Sequence, residues 1–129
     1  MEVKLQVLVA LAMALSLFSA ASATAGLAVY YAPQYYPAAC PGFTLKNSGV
    51  MVAGVSDALW NNGRACGRML KVRCTGAANQ FPNPCRAGVI TVKVVDYCRQ
   101  PCNGVINLSQ DAFAKIANLD AGKVWVDYS

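Results

Sequence analysis

Few side chains in this sequence can move a proton. There is no histidine, and eleven Lys+Arg stand against six Asp+Glu in 129 residues. Without histidine there is no imidazole base, no Ser-His-Asp triad and no His-ligated zinc. Beyond residue 25 the carboxylates are Asp57, Asp96, Asp111, Asp120 and Asp127, with no glutamate among them. Cutting a glycosidic bond ordinarily takes a pair of carboxyl groups, one protonated at the leaving oxygen and one that activates water or attacks. Most of the five have a local use instead. Asp57 and Asp111 sit in the first turn of expected helices, where negative charge is stabilised. Asp120 precedes Ala121-Gly122 in a turn, and Asp127 is near the last residue. Asp96 stands apart. It shares the parity of Ile90, Val92 and Val94 and falls where their strand ends, which points its carboxylate toward the mouth of the core. An Asx-turn leading into Tyr97-Cys98 is the competing use.

The elements that position these groups begin after an apolar leader. The 56% hydrophobic fraction is concentrated early: no charged residue lies between Lys4 and Lys46, and Val7 to Phe18 is twelve apolar or small residues. That is the size of a signal-peptide core and short of the roughly 20 residues a spanning helix needs. Ala23-Thr24-Ala25 fits the small-residue cleavage pattern, so residues 1–25 read as a signal peptide, cut before Gly26, and residues 26–129 as one domain. No second stretch is apolar enough to span a bilayer. Export is expected, as a monomer.

Cys40, Cys66, Cys74, Cys85, Cys98 and Cys102 all lie in the exported part. An even count in a short secreted domain reads as disulfides, each contributing about 2–4 kcal/mol, and spacing alone does not choose the pairs. A thiolate metal site built on Cys98 and Cys102 is the rival. With no histidine and no CxxC, neither a metal nor a cofactor is expected.

Strands are expected at Gly26–Ala32, Val50–Val55, Met69–Cys74, Gly88–Asp96 and Lys123–Tyr128, from their β-branched or alternating character. Pro33–Lys46 and Thr75–Gly88 read as loops. Ser56 is placed to cap one helical turn over Asp57–Trp60, ended by Asn61-Asn62-Gly63, and Ser109 to cap a helix with Phe113, Ile116 and Ala117 on its apolar stripe. Short strands, long stapled loops and one late helix suggest a small closed barrel.

Three stretches carry a resemblance: GVSDALWNNGRACGRMLKVRC (54–74), ITVKVVDYC (90–98) and NLSQDAFAKIANLDAGKVWVDY (107–128). Their WNNG turn, the cysteine before a strand and the LSQ-x-AF helix resemble the first domain of expansins, itself similar to barwin and the family-45 endoglucanases. A single domain with a leader and six cysteines is most similar to the plant natriuretic peptides, also described as endoglucanase-45-like-domain proteins. The resemblance implies an all-β fold, a six-stranded double-psi β-barrel with one or two short helices, secreted to the apoplast. It also implies the pairs Cys40–Cys66, Cys74–Cys85 and Cys98–Cys102.

The same resemblance bears on catalysis. Expansins and the related endoglucanases have an aspartate, the general acid, just before the Leu-Ser of the late helix; this sequence has Asn107. Their second carboxylate follows the first strand's aromatic pair, and here Tyr30-Tyr31 is followed by Ala32. An amide does not donate a proton at leaving-group strength. No catalytic residue is therefore expected, and Tyr31, Asp96, Tyr97 and Asn107 are expected to line a binding cleft. Asn107-Leu108-Ser109 is also an N-x-S sequon, so a glycan blocking the cleft and an unmodified Asn107 beside the helix cap are both open.

Between Ala58 and Val95 every charge is positive: Arg64, Arg68, Lys71, Arg73, Arg86 and Lys93. Such a face attracts polyanions, although solvated strand faces account for much of it. Tyr30, Tyr31, Tyr35, Tyr36 and Trp60 are candidates for a sugar or receptor platform. The partners expected are a cell-surface receptor or an acidic cell-wall polysaccharide; no motif points to nucleic acid. By resemblance the leading function is non-enzymatic signalling that affects water and solute homeostasis, with the 33–66 segment as its active part. A wall polysaccharide-binding module that does not cut is the alternative. Expansins carry a second, carbohydrate-binding domain after the barrel, and nothing follows Ser129 here, so wall loosening is not expected.

Overall fold

Strict alternation along the strands determines the core. On β3 (Met69–Ala77), Leu70 and Val72 are buried while Met69, Lys71 and Arg73 are exposed. β4 (Ile90–Tyr97) turns Val92 and Val94 inward, and β6 (Val124–Tyr128) turns in Val124 and Val126. With Ala28 of β1 (Thr24–Tyr31), Ala53 and Val55 of β2 (Val52–Val55), and Ile106 and Leu108 of β5 (Ile106–Ser109), these side chains make one cluster. The computed structural model describes residues 23–129, so the leader expected over residues 1–25 lies outside the described residues except for its last three.

Each strand bonds to two others, in the order β1-β5-β2-β4-β3-β6, and β6 returns to β1 to close the barrel. The pairs β1–β5 and β2–β4 are parallel and the remaining four antiparallel. Three short helices decorate the sheet: α1 (Leu45–Ser48), α2 (Asp57–Trp60) and α3 (Gln110–Ile116). α3 supplies Ala112, Phe113 and Ile116 to the core, and the Phe113 ring lies 4.8 Å from that of Tyr30.

Several boundaries differ from expectation. β5 was hidden because its four residues run straight into the helix cap: Ser109 ends the strand and its Oγ accepts the Ala112 N–H at 3.1 Å. β3 continues past Cys74 into the expected loop because a bulge between Cys74 and Gly76 lets it keep pairing with β6. α1 forms inside an expected loop, started by a reciprocal cap between Thr44 and Asn47. Ser56 holds the cap position of α2, but its side chain makes no capping bond. β1 starts at Thr24, and Thr24 and Ala25 pair with Tyr128 and Asp127, so the barrel uses two residues ahead of the expected cut.

The disulfides join Cys40 to Cys66, Cys74 to Cys85 and Cys98 to Cys102. The first ties down a second, outer cluster. There Tyr35 packs on Val52 and Val95, with Tyr31, Tyr36, Ala38 and Phe43 around them, so the segment after β1 lies over the outside of the barrel. Truncating Phe113 to Ala removes the largest fully buried side chain and should cost about 3–5 kcal/mol. Urea unfolding should show this as a lower midpoint at unchanged slope; a loss under 1 kcal/mol would mean the helix does not plug the core.

Candidate functional site

β4 takes two steps, Val95 and Asp96, where β2 takes one: Ala53 pairs with Val94, and Gly54 with Asp96. This extra residue reverses the parity read from the sequence. Val94 faces the core, Val95 faces the outer cluster, and Asp96 follows it onto the outer face instead of the core side. A Cβ on Gly54 would stand 3.4 Å from the Asp96 Cβ, so the two share a face. Gly54 pairs on its other side with Asn107, and Asn107 with Val29. A row therefore crosses four strands, Asp96, Gly54, Asn107, Val29, with a gap between carboxylate and amide where Gly54 has no side chain.

Asp96 Oδ1 accepts the backbone N–H of Ala39 and of Tyr97, each at 2.9 Å. The Ala39 bond, together with Cys40 N–H donating to Val95 O at 3.0 Å, holds the segment after β1 against the sheet. The bond to the adjacent N–H of Tyr97 takes the place of the anticipated Asx-turn. Tyr31 lies beneath this cover, its ring 5.3 Å from that of Tyr35, and its buried hydroxyl has no hydrogen-bond partner among the described residues. Burial, reinforced by the Asp96 charge, pushes that hydroxyl above its ordinary value. Burial also raises Tyr35 and Tyr36; the Tyr35 hydroxyl donates to Asp111 at 2.5 Å and that of Tyr36 to Gly49 O at 2.8 Å.

Tyr97 is not part of this row. Strand alternation sends it the other way, and its ring stacks on Trp60 at 4.9 Å. Its hydroxyl donates to Asp57 Oδ1, which raises its pKa, and Gln100 Nε2 donates to Asp57 Oδ2 at 2.7 Å. Asp57, Gln100, Ser56 and Gly104 line an open cleft of about 630 Å³. The sequence had assigned Asp57 only to its helix start, and a bond reaching 43 residues to Gln100 leaves no local signal. So Tyr31, Asp96 and Asn107 gather on the outer face, while Tyr97 belongs to a second constellation at the end of β4.

The sequon lies within paired strand: Asn107 is bonded between β1 and β2, and the buried Ser109 hydroxyl donates to Val50 O at 2.6 Å. Of the basic residues, Arg73 pairs with Asp127 at 3.0 Å and Arg86 donates to Ala114 O at 2.7 Å, closing the end of α3. Arg64, Arg68 and Lys71 are exposed.

The orphan hydroxyl makes Tyr31→Phe informative. A phenol with a raised folded pKa keeps its proton longer when folded; its contribution is full below the unfolded value near ~10 and is lost as pH rises through the folded value. The variant should hold or gain up to about 1 kcal/mol at pH 7 and lose less stability above pH 10, read by urea unfolding. A destabilised variant with an unchanged alkaline slope would place a partner on that hydroxyl.

A family model described as lytic transglycolase matches residues 52–128. The chain is 49% identical over 131 residues to an EG45-like domain containing protein of Citrus jambhiri, covering 100% of this chain and 98% of that one. It is 51% identical over 109 residues to EG45-like domain containing protein 2 of Arabidopsis thaliana, covering 84% and 82%. Among solved structures it is similar to the apo expansin of Clavibacter michiganensis, at TM-score 0.64 and 25% identity, covering 83% of this chain and 49% of that one. It thus spans about half of that expansin, of which a mutant was also solved with cellohexaose (TM-score 0.60, 24% identity, the same coverage). On identity across its whole length, this chain belongs to the EG45-like domain containing proteins.

Proposed function

We propose that this protein is an extracellular, non-hydrolytic component of the plant cell wall that holds a polysaccharide on the outside of its barrel. The observation that carries this reading is the row Asp96, Gly54, Asn107: one carboxylate tied to backbone N–H groups, a gap, and an amide in place of an acid. Such a row offers hydrogen bonds to hydroxyls and no proton donor for a leaving group. The Trp60–Tyr97 stack, with Asp57 and Gln100 beside it, adds aromatic surface and polar partners of the kind sugars use. The cellohexaose held by the Clavibacter expansin supports a glucan as the first ligand to try. The two parallel pairs support reading the closed sheet as a double-psi barrel. Removal of the leader is part of the proposal, with residues 26–129 as the working domain; cutting before Gly26 would cost β1 its pairs with Tyr128 and Asp127.

A second reading, signalling through a cell-surface receptor with effects on water and solute balance, is favoured by a specific feature. The segment closed by Cys40–Cys66 carries α1 on the surface with Leu45 61% exposed and Val50 39% exposed. An ordered loop presenting apolar side chains offers a docking surface to a protein partner. The basic residues Arg64, Arg68 and Lys71 favour a partner rich in acidic groups under either reading.

The readings separate experimentally. The wall reading expects the folded protein to be retained by insoluble glucan without releasing reducing ends, and Tyr97→Ala to weaken retention several-fold. It also expects no volume response from protoplasts stripped of wall. Released reducing ends would overturn the non-hydrolytic assignment. A protoplast response without glucan retention would transfer the function to the receptor.

A further inference from the structure

The outer face of β3, β6 and β1 carries a tryptophan that neither the core nor the row described above uses. Trp125 points outward from β6 and is 43% exposed. Its cross-strand neighbours are Leu27 on β1 and Gly76 on β3. The bulge after Cys74 brings Gly76 into that register, and a Cβ there would meet nothing within 4 Å, so the β3 flank of the indole is bare sheet. An indole left partly in water keeps apolar area unburied, and the neighbouring outward position on β6 is filled by Asp127.

A cleft of about 430 Å³ opens beside this ring, lined by Leu27, Asn103, Gly104, Val105, Lys123 and Trp125. Lys123 is the one ionisable side chain in that lining. The single ion pair among the described residues is Arg73 with Asp127, so none of the described carboxylates lies within ion-pair distance of Lys123. The cleft thus combines an open aromatic face, an amide at Asn103 and an uncompensated cation. A pyranose presents its C–H face to an aromatic ring and its hydroxyls to an amide, and only an acidic sugar also supplies the anion that Lys123 lacks.

We propose that Trp125 and Lys123 form a subsite for a uronate unit of an acidic polysaccharide, separate from the Asp96–Asn107 row. This rests on the wall-binding reading and names a second ligand chemistry and a second face for it. A neutral glucan would satisfy the indole and leave the ammonium unpaired.

The test is affinity electrophoresis of the folded, disulfide-intact protein through gels containing polygalacturonate or a soluble cellulose derivative. Wild type should be retarded by polygalacturonate, less so as salt rises. Trp125→Ala should lose about tenfold in affinity, since one stacking contact is of that order. Lys123→Gln should lose several-fold and flatten the salt dependence while leaving the ring in place. Retardation of Trp125→Ala and Lys123→Gln equal to that of wild type would overturn the subsite. Wild type retarded by the cellulose derivative and not by polygalacturonate would overturn it while leaving the wall reading intact. Retardation by neither polymer would overturn both.

Discussion

A six-stranded closed sheet has no room for a ligand. Eight strands give an interior that side chains alone just fill, and six give less. Here the inward positions are Val, Ile, Leu and Ala from every strand, with Phe113 closing the cluster from α3. Every polar or aromatic group available to a partner is therefore on the outside of the sheet or at the strand ends. The outer residues differ from one face to another chiefly in what has been laid over them. That single constraint separates the chain's chemistry into distinct surface patches instead of one central cavity.

The bulge in β4 shows how much one backbone residue controls. Without it Asp96 would follow Val92 and Val94 toward the core, a carboxylate among apolar side chains, which is costly unless it is paired. With it, Asp96 stays on the outer face beside Val95, the anchor of the outer cluster, and receives the N–H of Ala39. The segment after β1 can then lie flat: Cys40 bonds to Val95 O, its disulfide reaches Cys66, and Tyr35 ties to Asp111 on α3. The same step leaves the Tyr31 hydroxyl under the cover without a partner among the described residues. Covering this face and orienting Asp96 are one structural event, so the carboxylate's binding role and its scaffolding role are coupled.

What the sequence made legible follows from the range of each signal. Period-two alternation at Leu70, Val72, Val92 and Val94 marked the inward faces correctly because those residues sit in regular ladder. The same rule failed at Asp96, since a bulge is a property of two strands together and neither strand's pattern records it. β5 was missed because four residues leave too little alternation to distinguish a strand from the approach to a helix. Asp57 was explained by its helix start, whereas its partners Tyr97 and Gln100 come from across the fold. Trp125 was read only as part of a closing strand. Its exposure depends on Gly76 standing opposite, a register that a second bulge sets.

The loop closed by Cys98–Cys102 connects these patches. Cys102 and Gly104 line both the cleft beside Asp57 and the cleft beside Lys123, so one short loop is a shared wall with a carboxylate on one side and an ammonium on the other. Its position is rigidly specified. A Cβ on Gly104 would come 2.8 Å from Leu27 O, which no side chain tolerates, and Val105 N–H donates to that same oxygen at 2.8 Å. The disulfide ties Cys102, at the start of this wall, back to Cys98 just after β4. Leu27 is also the residue paired with Trp125. The glycine and β1 together fix the wall against which the indole and Lys123 stand, so that wall is set by backbone packing.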